Sequence, residues 1–395
     1  MDGFRGVDFY ALDDLWTPDE RMIRDTVRSW VEERIVPNIA EWARDGRFPV
    51  ELAKEMGELG LLGPQIPGEG SPELGPVAYG LIQQELERGD SGFRSFSSVQ
   101  GALVMFPIAT FGSDEQRRRW LPALRSGAAI GCFGLTEADA GSNPAGMRTT
   151  ARRDGDGWVL NGAKMWITNG TIADLAVVFA RTPEGIQGFL VERGAPGFRA
   201  PEIRNKWSLR ASVTSELVFE DCRLPGDAVL PGATGLRAAL ACLNEARYGI
   251  AWGALGAAAA CYHAALEHAK TRVQFDGPIA GHQMVQERFV WMLAEITKGQ
   301  LLAWRLGRLK EEGKARPEQV SLAKRENVRM ALAVAREARD LLGAGGITDE
   351  FPVGRHMANL ESVVTYEGTH NVHTLIVGSA ITGIDAFRAP GPARG

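Results

Sequence analysis

The sequence predicts an α+β chain with a helical N-terminal domain (1–128), a central antiparallel β-barrel or sandwich (129–234) and a C-terminal helical bundle (235–395). Two zones with apolar residues at helical spacing flank a middle zone of short apolar runs punctuated by Asp-Gly and Asn-Gly. Those short runs follow one another without intervening helices, which excludes a parallel α/β sheet.

Thr17-Pro18-Asp19-Glu20 opens the first helix with a capping hydroxyl, a proline in the first turn and acids after it. Amphipathic spacing predicts helix over 22–43, a shorter piece over 52–62, and another over 77–87 ahead of a turn at Gly89-Asp90-Ser91-Gly92. A further helical run covers 93–111. In the middle zone Asp154-Gly155-Asp156-Gly157 and Asn161-Gly162 predict a pair of hairpins, with later strands over 175–180, 188–192 and 216–219. Leu236, Leu240 and Leu243 lead into a long helix ending near 273, and Val285, Phe289, Met292, Leu293 and Ile296 line a second. Pro317 opens a third helix that Gly343 closes, a fourth spans 353–366, and a fifth follows Gly368.

Of the 395 residues, 44 are Lys or Arg and 49 Asp or Glu, a net charge of -5. This balance excludes a disordered or collagen-like chain and any nucleic-acid binder that works through bulk positive charge. Cys132, Cys222, Cys242 and Cys261 have no CxxC or metal-ligand spacing, so free buried thiols in a reducing cytoplasm are expected. The acidic start MDGFRGVDFYALDDLW lacks the basic and apolar regions of a signal peptide. Residues 248–266 carry no Asp, Glu, Lys or Arg over about the length that spans a bilayer, yet Ala and Gly dominate them. Tight packing in a soluble core is expected there, not a transmembrane segment. His370 and His373 lack companion ligands, so no metal site is expected, and Gly343-Ala344-Gly345-Gly346 follows a helix where a dinucleotide fingerprint would follow a strand.

Three features point to chemistry. The loop Leu135 to Pro144 is polar and rich in small residues, and alone reads as a solvated connector. Arg94 stands in an otherwise apolar run, a costly place for a charge unless something anionic pairs with it. Ser98 lies one helical turn further on the same face, and Glu87 is seven residues back, near enough to pair with Arg94. Glu367 sits between two helices, flanked by Tyr366 and Gly368; alone it reads as a helix-end charge.

In this order the features resemble the acyl-CoA dehydrogenase family, flavoenzymes with a helical domain, a β-domain and a C-terminal four-helix domain. The likeness covers nearly the whole chain. It rests on Cys132 to Glu137 with Gly141-Ser142, on Leu160-Asn161-Gly162-x-Lys164-x-Trp166-Ile167-Thr168-Asn169, and on Tyr366-Glu367-Gly368-Thr369. A narrower likeness, to the branch acting on glutaryl-CoA, rests on Phe93-Arg94-Ser95 with Ser98-Val99-Gln100, on Trp207 to Ser212, and on Asn244 with Ala246 to Gly253. Asn143, Asn371 and Phe93 depart from the family's more usual Asp, Asp and Tyr.

The resemblance implies FAD as cofactor and Glu367 as the base that removes the α-proton of a thioester. It implies that Arg94, with Ser95, Ser98 and Glu87, orients a distal carboxylate, that Tyr366 and Gly368 flank the base, and that Ser142 and Arg247 contact the CoA side. For the flavin it implies Phe133, Leu135, Thr136, Gly141 and Ser142 over the ring and Trp166, Ile167 and Thr168 beside it. Arg272 and Gln283 would serve the diphosphate and adenine end across a subunit boundary, with Gly343, Gly345 and Gly346 as a second turn and Thr369 after the base. A homotetramer, an electron-transfer flavoprotein as acceptor, and oxidative decarboxylation of glutaryl-CoA to crotonyl-CoA in amino-acid breakdown follow as expectations. Short- or branched-chain oxidation and glutaryl-CoA oxidation without loss of CO₂ remain alternatives.

Overall fold

The computed structural model describes Phe4 and residues 6–387; the last eight residues of the third predicted domain lie outside the described residues. The N-terminal helices are α1 (Pro18–Trp30), α2 (Ile39–Asp45), α3 (Leu52–Glu58), α4 (Pro76–Gly89), α5 (Ser91–Ser98), α6 (Phe106–Phe111) and α7 (Asp114–Arg125). A reciprocal capping box starts α1, with Thr17 Oγ1 accepting the Glu20 N–H and Glu20 Oε2 accepting the Thr17 N–H. Where a four-residue turn was expected at 89–92, only Asp90 leaves the helix. Its extended backbone and its carboxylate, which accepts the Gly92 N–H at 2.7 Å, start α5 at once. From α5 the chain runs through a π-helical stretch (Val99–Met105) directly into α6.

The middle strands are β1 (Gly131–Gly134), β2 (Thr150–Asp154), β3 (Gly157–Thr168), β4 (Leu175–Thr182), β5 (Gly185–Glu192), β6 (Phe198–Arg199), β7 (Thr214–Leu224) and β8 (Val229–Thr234). They form one sheet in the order β6-β7-β3-β2-β4-β5-β8, with β1 on β4. Two departures from the expected pattern matter. β1 pairs with β4 in parallel, as does β2 at a single position, so the sheet is not wholly antiparallel. Asn161-Gly162 makes no hairpin: β3 runs straight through it with a bulge against β7. There the Asn161 side chain bonds Asp221 in both directions, and Gly162 takes φ +138, where a Cβ would lie 2.6 Å from Thr149 Oγ1. The Asp154 to Gly157 turn does join β2 to β3.

The remaining elements are α8 (Gly235–Thr271), the small hairpin β9 (Val273–Gln274) and β10 (Gly277–Pro278), α9 (Gln283–Glu311), α10 (Pro317–Leu341), α11 (Val353–Val363) and α12 (His370–Thr382). α8 packs against α9, α10 and α11, and its other side meets α4 of the N-terminal zone. The small residues of α8 serve that second contact. A Cβ on Gly256 would lie 1.8 Å from Gln84 O, and one on Gly253 2.1 Å from Glu87 Oε2. The most apolar window of α8 is long enough to cross a membrane by length and composition, and 72% of it is buried inside the fold. All four cysteines are free and buried.

Candidate active site

α4, α5, α8, α10 and the α11–α12 junction bring their charged residues together around the turn Tyr366-Glu367-Gly368. Glu367 has φ +52 and Gly368 φ +98, so the base candidate occupies a left-handed conformation that a branched or bulky residue rarely adopts. Two side chains hold the three consecutive carbonyls of this turn. Lys324 Nζ donates to Tyr366 O at 3.1 Å and Gly368 O at 2.8 Å, and Arg247 Nε donates to Glu367 O at 2.7 Å. The Glu367 residue is half-buried, but its Oε2 is shielded from solvent and has no protein hydrogen-bond partner. Burial raises the carboxyl above its ordinary value, and Arg94, Lys324 and Arg247 limit that rise. A shielded carboxylate near cations is a stronger base than one in water and still ionisable.

Arg94 is completely buried. Its Nε donates to Glu87 Oε2 at 2.7 Å, its Nη2 to the Tyr366 hydroxyl, and its Cζ lies 5.5 Å from the Tyr366 ring centroid. Nη1 has no partner, and neither has the buried Ser98 hydroxyl one helical turn away. Desolvation works against the guanidinium charge, but Tyr366, Glu87 and Glu367 outweigh it and hold Arg94 charged. Glu87 also accepts from Ser91 at 2.9 Å, so the carboxylate is doubly satisfied while the guanidinium is not. Buried polar atoms normally find a partner, so a cation with a spare N–H beside an unpaired hydroxyl is suited to an anionic ligand oxygen. Ser95 is buried beside them.

A second cluster forms where β1 meets β3. Glu137 accepts the N–H groups of Arg148 (2.6 Å) and Thr149 (3.0 Å) and pairs with the buried Lys164 at 2.7 Å. These bonds draw its carboxyl down to about 2, against the opposing effect of burial. The polar loop that reads as a connector is therefore clamped at both ends, leaving Gly141 and Ser142 exposed between them. Thr136 O accepts the Met165 N–H at 2.8 Å, which ties this loop to the end of β3. There the register slips between Lys164 and Ile167, Trp166 takes φ +63, and its indole stands 61% exposed. An exposed aromatic on a strained bulge, at the strand end that carries Thr168 and to which the Thr136 main chain is tied, fits a planar heteroaromatic group that needs stacking and hydrogen bonds.

Other expected site residues lie elsewhere. Phe133, Leu135 and Ile167 turn their side chains into the cores around the sheet, so only their main chain can face a ligand. The Thr369 hydroxyl accepts the Val372 N–H at 3.2 Å as the cap of α12. Arg272 and Gln283 are exposed at the β9–β10 hairpin, and Gly343, Gly345 and Gly346 follow α10, about 28 Å along that helix from Lys324. The chain alone does not join them to Trp166 or Glu367.

Sequence reasoning missed Lys324 and His373. Lys324 is 1% exposed, and burial draws it down to about 7 although Glu367 pulls the other way. His373 is buried under Gly368, and burial with the nearby cations pushes it down to about 3, so it is neutral.

The chain matches three models of one family: the acyl-CoA dehydrogenase N-terminal domain over residues 17–128, the middle domain over 132–222 and the C-terminal domain over 233–382. It is similar to the crystal structure of glutaryl-CoA dehydrogenase from Mycobacterium smegmatis, with TM-score 0.96 and 59% identity over 97% of this chain and 100% of that one. A structure of a glutaryl-CoA dehydrogenase from the same organism in complex with FADH2 also gives TM-score 0.96, with 55% identity over 97% and 99% of the two chains. The human mitochondrial short-chain specific acyl-CoA dehydrogenase is 36% identical over 365 residues, covering 90% of this chain and 88% of that protein.

Proposed function

The chain belongs to the acyl-CoA dehydrogenase family, oxidoreductases acting on CH–CH donors, and from that premise we propose that it uses FAD to convert glutaryl-CoA to crotonyl-CoA and CO₂. The observation that carries the substrate is the buried Arg94 with its unpartnered Nη1. A pocket for a plain acyl chain is best closed by apolar residues, because a buried donor left without a partner costs about 1–3 kcal/mol even when, as here, the cation's charge is matched by Glu87. A distal carboxylate turns that cost into a charge-assisted hydrogen bond, with Ser98 as a second donor. The high identity to glutaryl-CoA dehydrogenases supports the same choice over the short-chain relatives.

Glu367 takes the α-proton of the thioester. FAD, held by Trp166, Thr136, Ser142 and Thr168, would accept the β-hydrogen as hydride. The N–H of Glu367, which donates to no acceptor among the described residues, is a candidate donor to the thioester oxygen as enolate charge develops. The γ-carbon that bears the carboxylate is allylic to the resulting enoyl thioester, so the carboxylate is vinylogous to that of a β-keto acid. Arg94 orients it while its C–C bond breaks, the electron pair passes into the thioester system, and protonated Glu367 returns a proton to give crotonyl-CoA.

A homotetramer is part of this reading. Phe275, Met284 and Ile347 are largely exposed near Arg272, Gln283 and the Gly343 turn, and of the thirteen residues of α12 only His373 is buried. A partner subunit covering these faces would bring Arg272 and Gln283 to the flavin of its neighbour. A cytoplasmic location and an electron-transfer flavoprotein as acceptor complete the proposal. Product analysis after incubation with glutaryl-CoA and an artificial electron acceptor tests it. Equal amounts of crotonyl-CoA and CO₂ support it; glutaconyl-CoA without CO₂ would leave oxidation alone, and turnover of butyryl-CoA only would mark a short-chain enzyme.

A further inference from the structure

A left-handed turn carrying a partly desolvated carboxylate does not hold itself in place. The backbone strain at Glu367 and Gly368 is retained only where neighbours over-determine it. We propose that Lys324 is the positioning residue of this turn, its ammonium bridging the carbonyls on either side of Glu367 so that the carboxyl stays aimed into the pocket. The inference rests on Glu367 being the base.

The geometry is specific. Lys324 projects from the N-terminal third of α10, is 1% exposed, and donates to Tyr366 O and Gly368 O while Arg247 on α8 takes the carbonyl between. An apolar residue there would leave two part-buried carbonyls without the donor they have here, and a shorter donor would not reach both. The charged and titratable groups around it and the turn are Glu367 and Tyr366 on the turn, Arg247 on α8, Arg94 on α5, Glu87 on α4, and His370 and His373 on α12. Two of its neighbours are also cations, so ammonium placement here is unfavourable except for the carbonyls and for Glu367. Lys324 also acts on the base through charge, as one of three cations that limit the rise of its pKa. Without it the carboxyl becomes harder to ionise and less well aimed.

Flavin bleaching by glutaryl-CoA under single-turnover conditions, measured against pH in FAD-loaded Lys324→Met and Lys324→Gln, tests this. A displaced catalytic group costs up to about 10²-fold, so Lys324→Met should bleach at least about tenfold slower. Its thioester affinity should stay within about threefold, and the pH midpoint of bleaching should move up. Lys324→Gln keeps an amide donor and should recover part of the rate with the same upward midpoint. It also carries the comparison should the Met variant not fold. A rate and midpoint equal to the parent's would overturn the proposal, as would lower thermal stability or flavin content with an unmoved midpoint. A parent whose flavin no acyl-CoA bleaches would instead sink the reading of Glu367, and this inference with it.

Discussion

In the proposed reaction Glu367 and Arg94 divide the chemistry between proton transfer and recognition, and their surroundings suit the division. Glu367→Gln keeps the shape of the side chain but removes the base, so turnover should fall by about 10²–10⁴-fold with FAD still bound. Rapid-reaction flavin reduction checks this; a loss under tenfold would contradict it. Burial raises the Glu367 carboxyl and the active form is ionised, so the parent's rate should fall away on the acid side at a higher pH than an ordinary glutamate allows. A pH–rate profile flat down to pH about 4.5, the ordinary glutamate range, would contradict that sign. At this scale much was legible. Arg94 and Glu87 stood out because a charge in an apolar run demands a partner. Lys324 did not, because Lys324-Arg325-Glu326 reads as an exposed charged face and only the three-dimensional path of the 366–368 turn shows what its ammonium holds.

Among the elements, the loop between β1 and β2 and the α4–α8 crossing carry the most weight. Glu137 is held below its ordinary value by the N–H groups of Arg148 and Thr149 and by Lys164, against the opposing effect of burial. Its contribution to stability is therefore present above pH about 4.5 and is lost as pH falls toward about 2. Glu137→Ala leaves the fully buried Lys164 without its carboxylate and should cost about 3–5 kcal/mol. Chemical denaturation at pH 7 measures that, and a cost below 1 kcal/mol would mean that the loop is held by other means. At the crossing, Gly253→Ala would drive a methyl to 2.1 Å from Glu87 Oε2 and 3.0 Å from Arg94 Cγ. Glutaryl-CoA turnover should fall more than thermal stability does, and comparing the two losses tests it. The strands and helices were readable from period and turn chemistry, but the Asn161-Gly162 bulge was not. The same dipeptide serves a hairpin or a bulge, and the choice is made by the strand opposite, β7, whose Asp221 bonds Asn161.

Across the whole molecule the three zones each supply one part of the proposed site: α4 and α5 the buried Arg94–Glu87 pair, the end of β3 an exposed aromatic platform, and the helical bundle Glu367 on its clamped turn. The order of zones was visible in the sequence because hydrophobic period changes twice along it. The parallel pairing of β1 with β4 was not, since nothing local distinguishes an incoming strand's direction. Nor does one chain's physics place Arg272, Gln283 and the Gly343 turn against the rest; the exposed apolar residues around them are the signal that remains. Light scattering should therefore give four times the chain mass, and substituting Phe275 and Met284 with Ser should shift it downward and release flavin. A monomer that retains full flavin occupancy would contradict the shared arrangement.

The most direct test is the ratio of kcat/KM for glutaryl-CoA to that for butyryl-CoA, compared between the parent and Arg94→Met. Hydrogen bonds to a charged group contribute about 1.5–3 kcal/mol each, so the variant should lose about 10²-fold or more of its preference for the dicarboxylic substrate, and taking the ratio cancels the effect that losing Arg94 has on Glu367 with either substrate. An unchanged ratio would show that the buried guanidinium serves only its bridge to Glu87.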